Sequence, residues 1–455
     1  MPDLRKNLLQ TSPRSLLLAA MTLHLVLALG TYFVARARIS PTLQADGVFL
    51  PFAPDALDYI CYSELLADFI RAGDLRAWVT YPLPLHSKIY SLSFVVLSPI
   101  LGMSVLAGEP INLLLYAAIL ILISRIGAAV FDERVGLLSA VVVGLWPSFL
   151  LHTTQLLKEQ FFVAALLLMV YIMVNWLTKP SPSLVRALLM GLAGLCSAFA
   201  IGRTRTPYWA LLLIVFTLAG FVMLLIRQCR ERQWFPLHML TAVPILVALV
   251  TTYAIGPKAT LQVRPSPRNP PTAPQSTSDP PEPAASMTVK RRLDLTAVRI
   301  WQIRWDYERA ENGVGTIDNG VVFANINALV AYLPRAASIG FFAPFPNQWF
   351  VKGRQTGRIG RRVAALEMFL AYVAAGFAVF GLWRCRQNLA AWLLVIIGAM
   401  GVTTIALIVV NLGALYRMRY GFFIVMLPVA SQGLITAFNA NRRFQRYQSS
   451  ERQSR

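Results

Sequence analysis

Ten mainly apolar runs, each near bilayer length, recur along this chain: 15–35, 110–130, 135–151, 160–177, 185–201, 208–226, 236–256, 364–383, 389–411 and 420–438. No other feature restricts the fold so severely. A helix of about 20 residues spans the hydrocarbon core, and inside that core every backbone N–H and C=O must find its partner within the protein. Unbroken apolar runs satisfy that requirement as helices. A weaker run at 89–106 is interrupted by Pro99 and Gly102. Mean hydropathy of +0.56 with 14% charged residues excludes an ordinary soluble domain. The first run is too long, and lacks the small-residue cleavage signal, for a typical secretory signal peptide. The expected fold is therefore all-α: a polytopic transmembrane helical bundle of about 10–12 spans, with short external juxtamembrane helices.

Charge then orients the bundle. The formal net charge of +21 is explained by topology, because Lys and Arg accumulate in loops that stay in the cytoplasm. Clusters at Arg227, Arg230 and Arg232, at Arg384 and Arg386, and at Arg442, Arg443 and Arg446 fit that rule and suit contact with anionic headgroups. No aromatic-interleaved soluble basic domain exists to bind nucleic acid. With those loops inside, alternation puts 150–159, 202–207, 257–363 and 412–419 outside, and 131–135 and 178–186 inside. Residues 36–88 fall outside only if 89–106 does not cross; a re-entrant or interfacial element at 89–106 meets that condition. The four cysteines and four histidines are scattered without metal-ligand spacing, so neither a metal nor any other cofactor is expected.

Three parts follow: an N-terminal transmembrane module at 1–256 with external catalytic loops, an external segment at 257–363, and C-terminal spans with a basic tail at 364–455. The external segment opens on a Pro-, Ser- and Thr-rich linker at 264–285. It continues as amphipathic surface elements, with Trp349 and Phe350 as interfacial anchors.

Three constellations could carry chemistry. In "LPFAPDALDYICYSELL" (50–66), Asp55 stands just past the first span, where a carboxylate can act as a general base. The plainer reading makes it the N-cap of a helix starting near Ala56. In "LWPSFLLHTTQLLKEQFFV" (145–163), Pro147 ends one span, and Lys158–Glu159 opens the next. That pair can be a phosphate ligand beside a second acidic group, or a snorkelling Lys with a dipole-stabilised Glu. In "GALYRMRYGFF" (413–423), Arg417 and Arg419 lie on the side that usually avoids positive charge, and so do Arg203 and Arg205 in "IGRTRTPYW". Guanidinium groups bind phosphate bidentately and stay charged, so these arginines read as phosphate ligands or as headgroup anchors. External carboxylates, external arginines and a large apolar bundle together suit a substrate with a phosphate head and a long lipid tail. No P-loop, dinucleotide-binding turn or nucleophile elbow appears in a plausible context.

Four stretches in order, "PDALDYICYSELLADF", "WPSFLLHTTQLLKEQFF", "AYLPRAASIGFFAPFPNQW" and "GALYRMRYGFFIVMLP", give the chain a resemblance to the membrane-embedded GT-C superfamily of glycosyltransferases. That group includes protein O-mannosyltransferases and lipid A aminoarabinose transferases. The resemblance implies transfer of a sugar from a polyprenyl-phosphate carrier to a glycan, lipid or protein acceptor, on the periplasmic face of a bacterial inner membrane. It implies Asp55 as catalytic base, Glu159 as the second acidic residue, and Lys158, Arg417, Arg419, Arg203 and Arg205 as ligands of the donor phosphate. The mannosyltransferases carry adjacent Asp–Glu at the first site; here Ala56 follows Asp55, which makes Asp58 a possible auxiliary. Two rivals stand beside this reading: an envelope polysaccharide polymerase or ligase, and a lipid or solute transporter.

Overall fold

The computed structural model describes residues 12–37, 44, 46–50, 53–204, 208–255, 288–310, 316–350 and 357–453, with side chains described over most of them. The linker at 264–285 and Arg205 lie outside the described residues, as does the side chain of Arg203.

The protein is an all-α multi-pass membrane protein. Its helices are α1 (Pro13–Arg36), α2 (Ala56–Arg71), α3 (Leu75–Thr80), α4 (Leu85–Leu101), α5 (Glu109–Val130), α6 (Glu133–Gly144), α7 (Pro147–Thr153), α8 (Lys158–Thr178), α9 (Leu184–Thr204), α10 (Tyr208–Glu231), α11 (Pro236–Ile255), α12 (Val289–Ala310), α13 (Ile326–Phe342), α14 (Gly357–Arg384), α15 (Leu389–Ile408), α16 (Leu412–Met418) and α17 (Tyr420–Gln453). Among the described residues, eight are long and apolar enough to cross a membrane, namely α1, α5, α8, α9, α10, α14, α15 and α17, and the bent pair α6–α7 makes a ninth. The sequence suggested more. The expected span at 135–151 is not one straight helix, since α6 and α7 meet at 70°. Pro147 at the start of α7 explains the break, because it supplies no N–H to continue the helix of α6.

The chain divides into two compact units that do not follow chain order: one comprises Met1–Gly256, Trp349–Gly398 and Tyr420–Arg455, the other Pro257–Gln348 and Ala399–Arg419. In the first unit, Asn112 near the start of α5 accepts from Gln160 near the start of α8, so the two helices set out from the same end of the bundle. Their far ends gather the basic connections. Arg227 donates to the carbonyls of Trp176 and Lys179, both at 2.8 Å, and Asn388 donates to Val130 at 3.0 Å. Arg125, Arg134, Arg186, Arg230, Arg384 and Arg386 lie within or beside the helix turns at this end.

The helix α4 stays at the opposite end. His86 and Tyr90 pack against Phe161, while Leu101 packs with Tyr32 and Leu106 at the end of α1 and just before α5. Both ends of α4 therefore touch the same face of the bundle. The run at 89–106 does not cross, which meets the condition for placing 36–88 outside.

Helices approach closely where glycines face one another. A Cβ on Gly136 of α6 would lie 2.2 Å from the Ser124 carbonyl oxygen of α5, and one on Gly433 of α17 would lie 2.0 Å from that of Phe377 of α14. Small residues permit such backbone approach in membranes. Gly136→Ala is expected to cost roughly 1–3 kcal/mol by overpacking, read as a lower melting temperature in detergent. Gly376→Ala, where a Cβ meets nothing within 4 Å, should melt no lower than wild type.

The broken span is secured by a buried carboxylate. Glu367 of α14, 1% exposed, accepts from the Ser148 backbone N–H at 2.6 Å and from its hydroxyl at 2.5 Å. Tyr420 donates to the same hydroxyl. Glu367 thus satisfies one N-terminal backbone donor of α7, the Ser148 N–H, that the break leaves without a helical partner.

Candidate functional site

The loop before α2 is fixed before Asp55 is reached. Gly47 has φ +86, and a Cβ there would lie 2.5 Å from Val105 Cγ2, so both its backbone and its packing require glycine. Gln155, 2% exposed, accepts from the Phe49 N–H at 3.0 Å and donates to the Gly47 carbonyl at 3.4 Å. The Asp55 loop is in this way tied to the segment that leads into Lys158.

Asp55 occupies the N-cap position of α2, yet its side chain makes no capping hydrogen bond. Its backbone explains why. A capping side chain works from an extended conformation, and Asp55 is helical at φ −64, ψ −18. The plain N-cap reading fails here: the half-buried Asp55 does not cap α2. Asp58, in the first turn, is exposed.

Lys158 and Glu159 open α8, with Lys158 half-buried and Glu159 7% exposed. Ala53 and Ala56, flanking Asp55, share one apolar cluster with Leu156, Leu157 and Phe161, flanking Lys158–Glu159. The structure therefore brings Asp55, Lys158 and Glu159 to one packed region at the end opposite the basic connections. The wall of this region is aromatic. His86 meets Tyr59 edge-on at 4.4 Å, and Tyr90 meets Phe161 edge-on at 5.3 Å.

Sequence reasoning missed the polar layer beneath. The Tyr90 hydroxyl donates to Asn112 Oδ1 at 2.7 Å, which also accepts from Gln160 Nε2 at 3.2 Å. Asn112 Nδ2 donates to Glu109 at 3.4 Å, and His24 Nδ1 lies 2.9 Å from Glu109 Oε1. This layer fixes the residue next to Glu159 through fully buried partners. A signal for it existed: Glu109 and His24 are ionisable residues in or beside apolar runs, and such residues are costly unless they have a task.

The second unit holds Arg417 and Arg419. Arg419, 1% exposed, donates through Nη1 to the carbonyls of Gly340 at 2.9 Å and Ala343 at 2.6 Å. Its guanidinium also stacks 4.8 Å from the Tyr416 ring. It closes the C-terminal end of α13, where carbonyls lack helical partners. The expected two-arginine clasp on one phosphate is thus reduced to the half-buried Arg417.

An arginine not singled out from sequence, Arg304, is equally buried. It donates to the carbonyls of Ala406, Leu407, Ile317 and Asp318 at 3.3, 3.2, 3.2 and 2.9 Å. Nearby, hydrogen bonds from Arg335 and Tyr332 hold the Asp318 carboxyl below the usual carboxylate range despite partial burial.

Among the described residues, no three His, Cys, Asp or Glu side chains form a group that could hold a metal. Chemically, the first unit's site offers a carboxylate not used as a cap, a second buried carboxylate, an ammonium and an aromatic wall. No protein-family model, curated protein or solved structure matches the chain.

Proposed function

We propose that the protein is a membrane glycosyltransferase of the GT-C kind, moving a sugar from a polyprenyl-phosphate carrier to an acceptor. One observation carries the reading. Asp55, which does not cap its own helix, lies between residues that pack in one cluster with those flanking Lys158 and Glu159. The positive-inside rule makes the basic end cytoplasmic, so this region faces the other side, the periplasm of a bacterial inner membrane. A lipid-linked donor supplies sugar where nucleotide sugars are absent.

Asp55 takes the proton from the acceptor as the acceptor attacks the anomeric carbon with inversion. The bond from that carbon to the phosphate oxygen breaks, and polyprenyl phosphate departs with its electron pair. Lys158 meets the charge that develops on the leaving phosphate. Glu159, beside the Gln160 that the polar layer holds, completes the acidic pair. The acceptor is a glycan, lipid or protein of the envelope.

The test uses the full chain in lipid nanodiscs with a polyprenyl-phosphate-linked sugar. The expected result is release of polyprenyl phosphate that depends on an acceptor, with a raised donor KM in Lys158→Gln. Donor that stays intact with every envelope acceptor, together with solute uptake in proteoliposomes, would move the transporter reading forward. The phosphate role expected of Arg417 is a separate claim, and an unchanged donor KM in Arg417→Gln would remove it.

A further inference from the structure

A hollow of about 450 Å³ opens between α1, α5 and α6 in the first unit, lined by residues that include Pro13, Arg14, Leu23, Leu120, Arg125 and Gly144. Its volume falls within the range of about 300–1,000 Å³ that holds small ligands. It is far from the site described above: α1 runs antiparallel to α5, with His24 beside Glu109 and the Pro13 end beside Arg125. The hollow therefore opens at the basic end.

Three features of this hollow belong together. Small side chains, Ala19, Ala20, Ser124 and Ala140, line it and make room that larger ones would fill. Leucines, with Ile121 and Val141, supply most of the remaining apolar lining. Along α1 it runs from Pro13 to Leu23, roughly 15 Å at the helical rise, which is half of the ~30 Å hydrocarbon core. That is the depth of one leaflet. At the same hollow stand Arg14 and Arg125, both exposed. Neither has a hydrogen bond or ion pair among the described residues. Two guanidinium groups at the headgroup end of a leaflet-deep apolar groove complement a phosphate attached to acyl chains.

We infer that this groove is a binding site for an anionic phospholipid of the leaflet at the basic end. One acyl chain lies against the leucines and alanines, and the phosphate lies between Arg14 and Arg125. A basic hollow between helices on the cytoplasmic side is suited to such headgroups. The bound lipid joins α1 to the α5–α6 hairpin.

The test is native mass spectrometry of the purified full chain in neutral detergent, titrated with phosphatidylglycerol and, separately, phosphatidylcholine. Wild type is expected to retain phosphatidylglycerol on the order of tenfold better. The double variant Arg14→Gln, Arg125→Gln should reduce that preference to parity without changing the lipid-free melting temperature. A second variant, Ala140→Phe, should fill the hollow and weaken retention of both lipids. Equal retention of the two lipids by wild type would overturn the inference. So would a preference that survives the double variant, or a dimer whose formation Ala140→Phe abolishes, which would make the groove a contact between copies.

Discussion

Asp55→Asn is expected to lower sugar transfer by roughly 10²–10⁴-fold, the range that general base catalysis contributes, and to leave the melting temperature unchanged. Asp55 does not contribute to its helix as a cap. A capping aspartate would contribute about 1 kcal/mol to its helix, so its replacement would also loosen α2. Asp55 makes no capping bond, and Asn keeps its size. Loss of activity would then be a loss of chemistry. Asp58→Asn, at an exposed position one turn along, should fall by only a few-fold if that residue is auxiliary. Equal losses at both positions would indicate that the two carboxylates act as a pair, and a larger loss at Asp58 would transfer the base assignment to it. Activity assays beside melting curves of both variants decide among these outcomes.

The second large effect concerns folding. Arg304→Met should destabilise the second unit by several kcal/mol. The guanidinium is 1% exposed and serves carbonyls at the C-terminal end of α15 and in the segment after α12. Each buried polar group left without a partner costs about 1–3 kcal/mol, and several are orphaned at once. A typical fold has only about 5–15 kcal/mol to lose. The expected readout is a fall in melting temperature with new protease cleavage within 288–348. Arg309→Met, at an exposed position on the same helix whose guanidinium stacks on Trp305 at 5.2 Å, should change little. If both variants melted like wild type, the buried arginine would be contributing no net stability.

Much of this architecture was legible in the sequence because hydrophobic length is a local property. Runs such as 160–177 and 389–411 became α8 and α15 with little displacement. Charge placement was legible too: the arginines at 227–232 and 384–386 mark one end of the bundle, and contacts such as Arg227 to Lys179 show that end as a physical cluster. The charges left the parity of 89–106 open, with a re-entrant or interfacial element as one answer, and the packing of His86, Tyr90 and Leu101 decides it.

What escaped the sequence depends on partners distant along the chain. Pro147 announced an interruption, but not that Glu367 would cap the fragment behind it. Arg417 and Arg419 look alike on paper, and only the carbonyls of Gly340 and Ala343 distinguish the buried one. Arg304 lies in a polar amphipathic helix, where its charge looked unremarkable. His24 and Glu109 meet across the bundle from separate apolar segments. In each case the residue type was visible, and its partner was set by the fold.

If Asp55 serves sugar transfer at the face opposite the basic end, its loss must show in the cell envelope. The most direct test is the mass profile of envelope glycans from cells lacking the protein, restored with wild type or with Asp55→Asn at equal level. The expected result is a glycan lighter by one sugar in the deletion and in the Asp55→Asn strain, with the full mass regained only by wild type. Loss of long chains with intact short units would favour a polymerase or ligase. A normal profile restored by Asp55→Asn would remove Asp55 as the base.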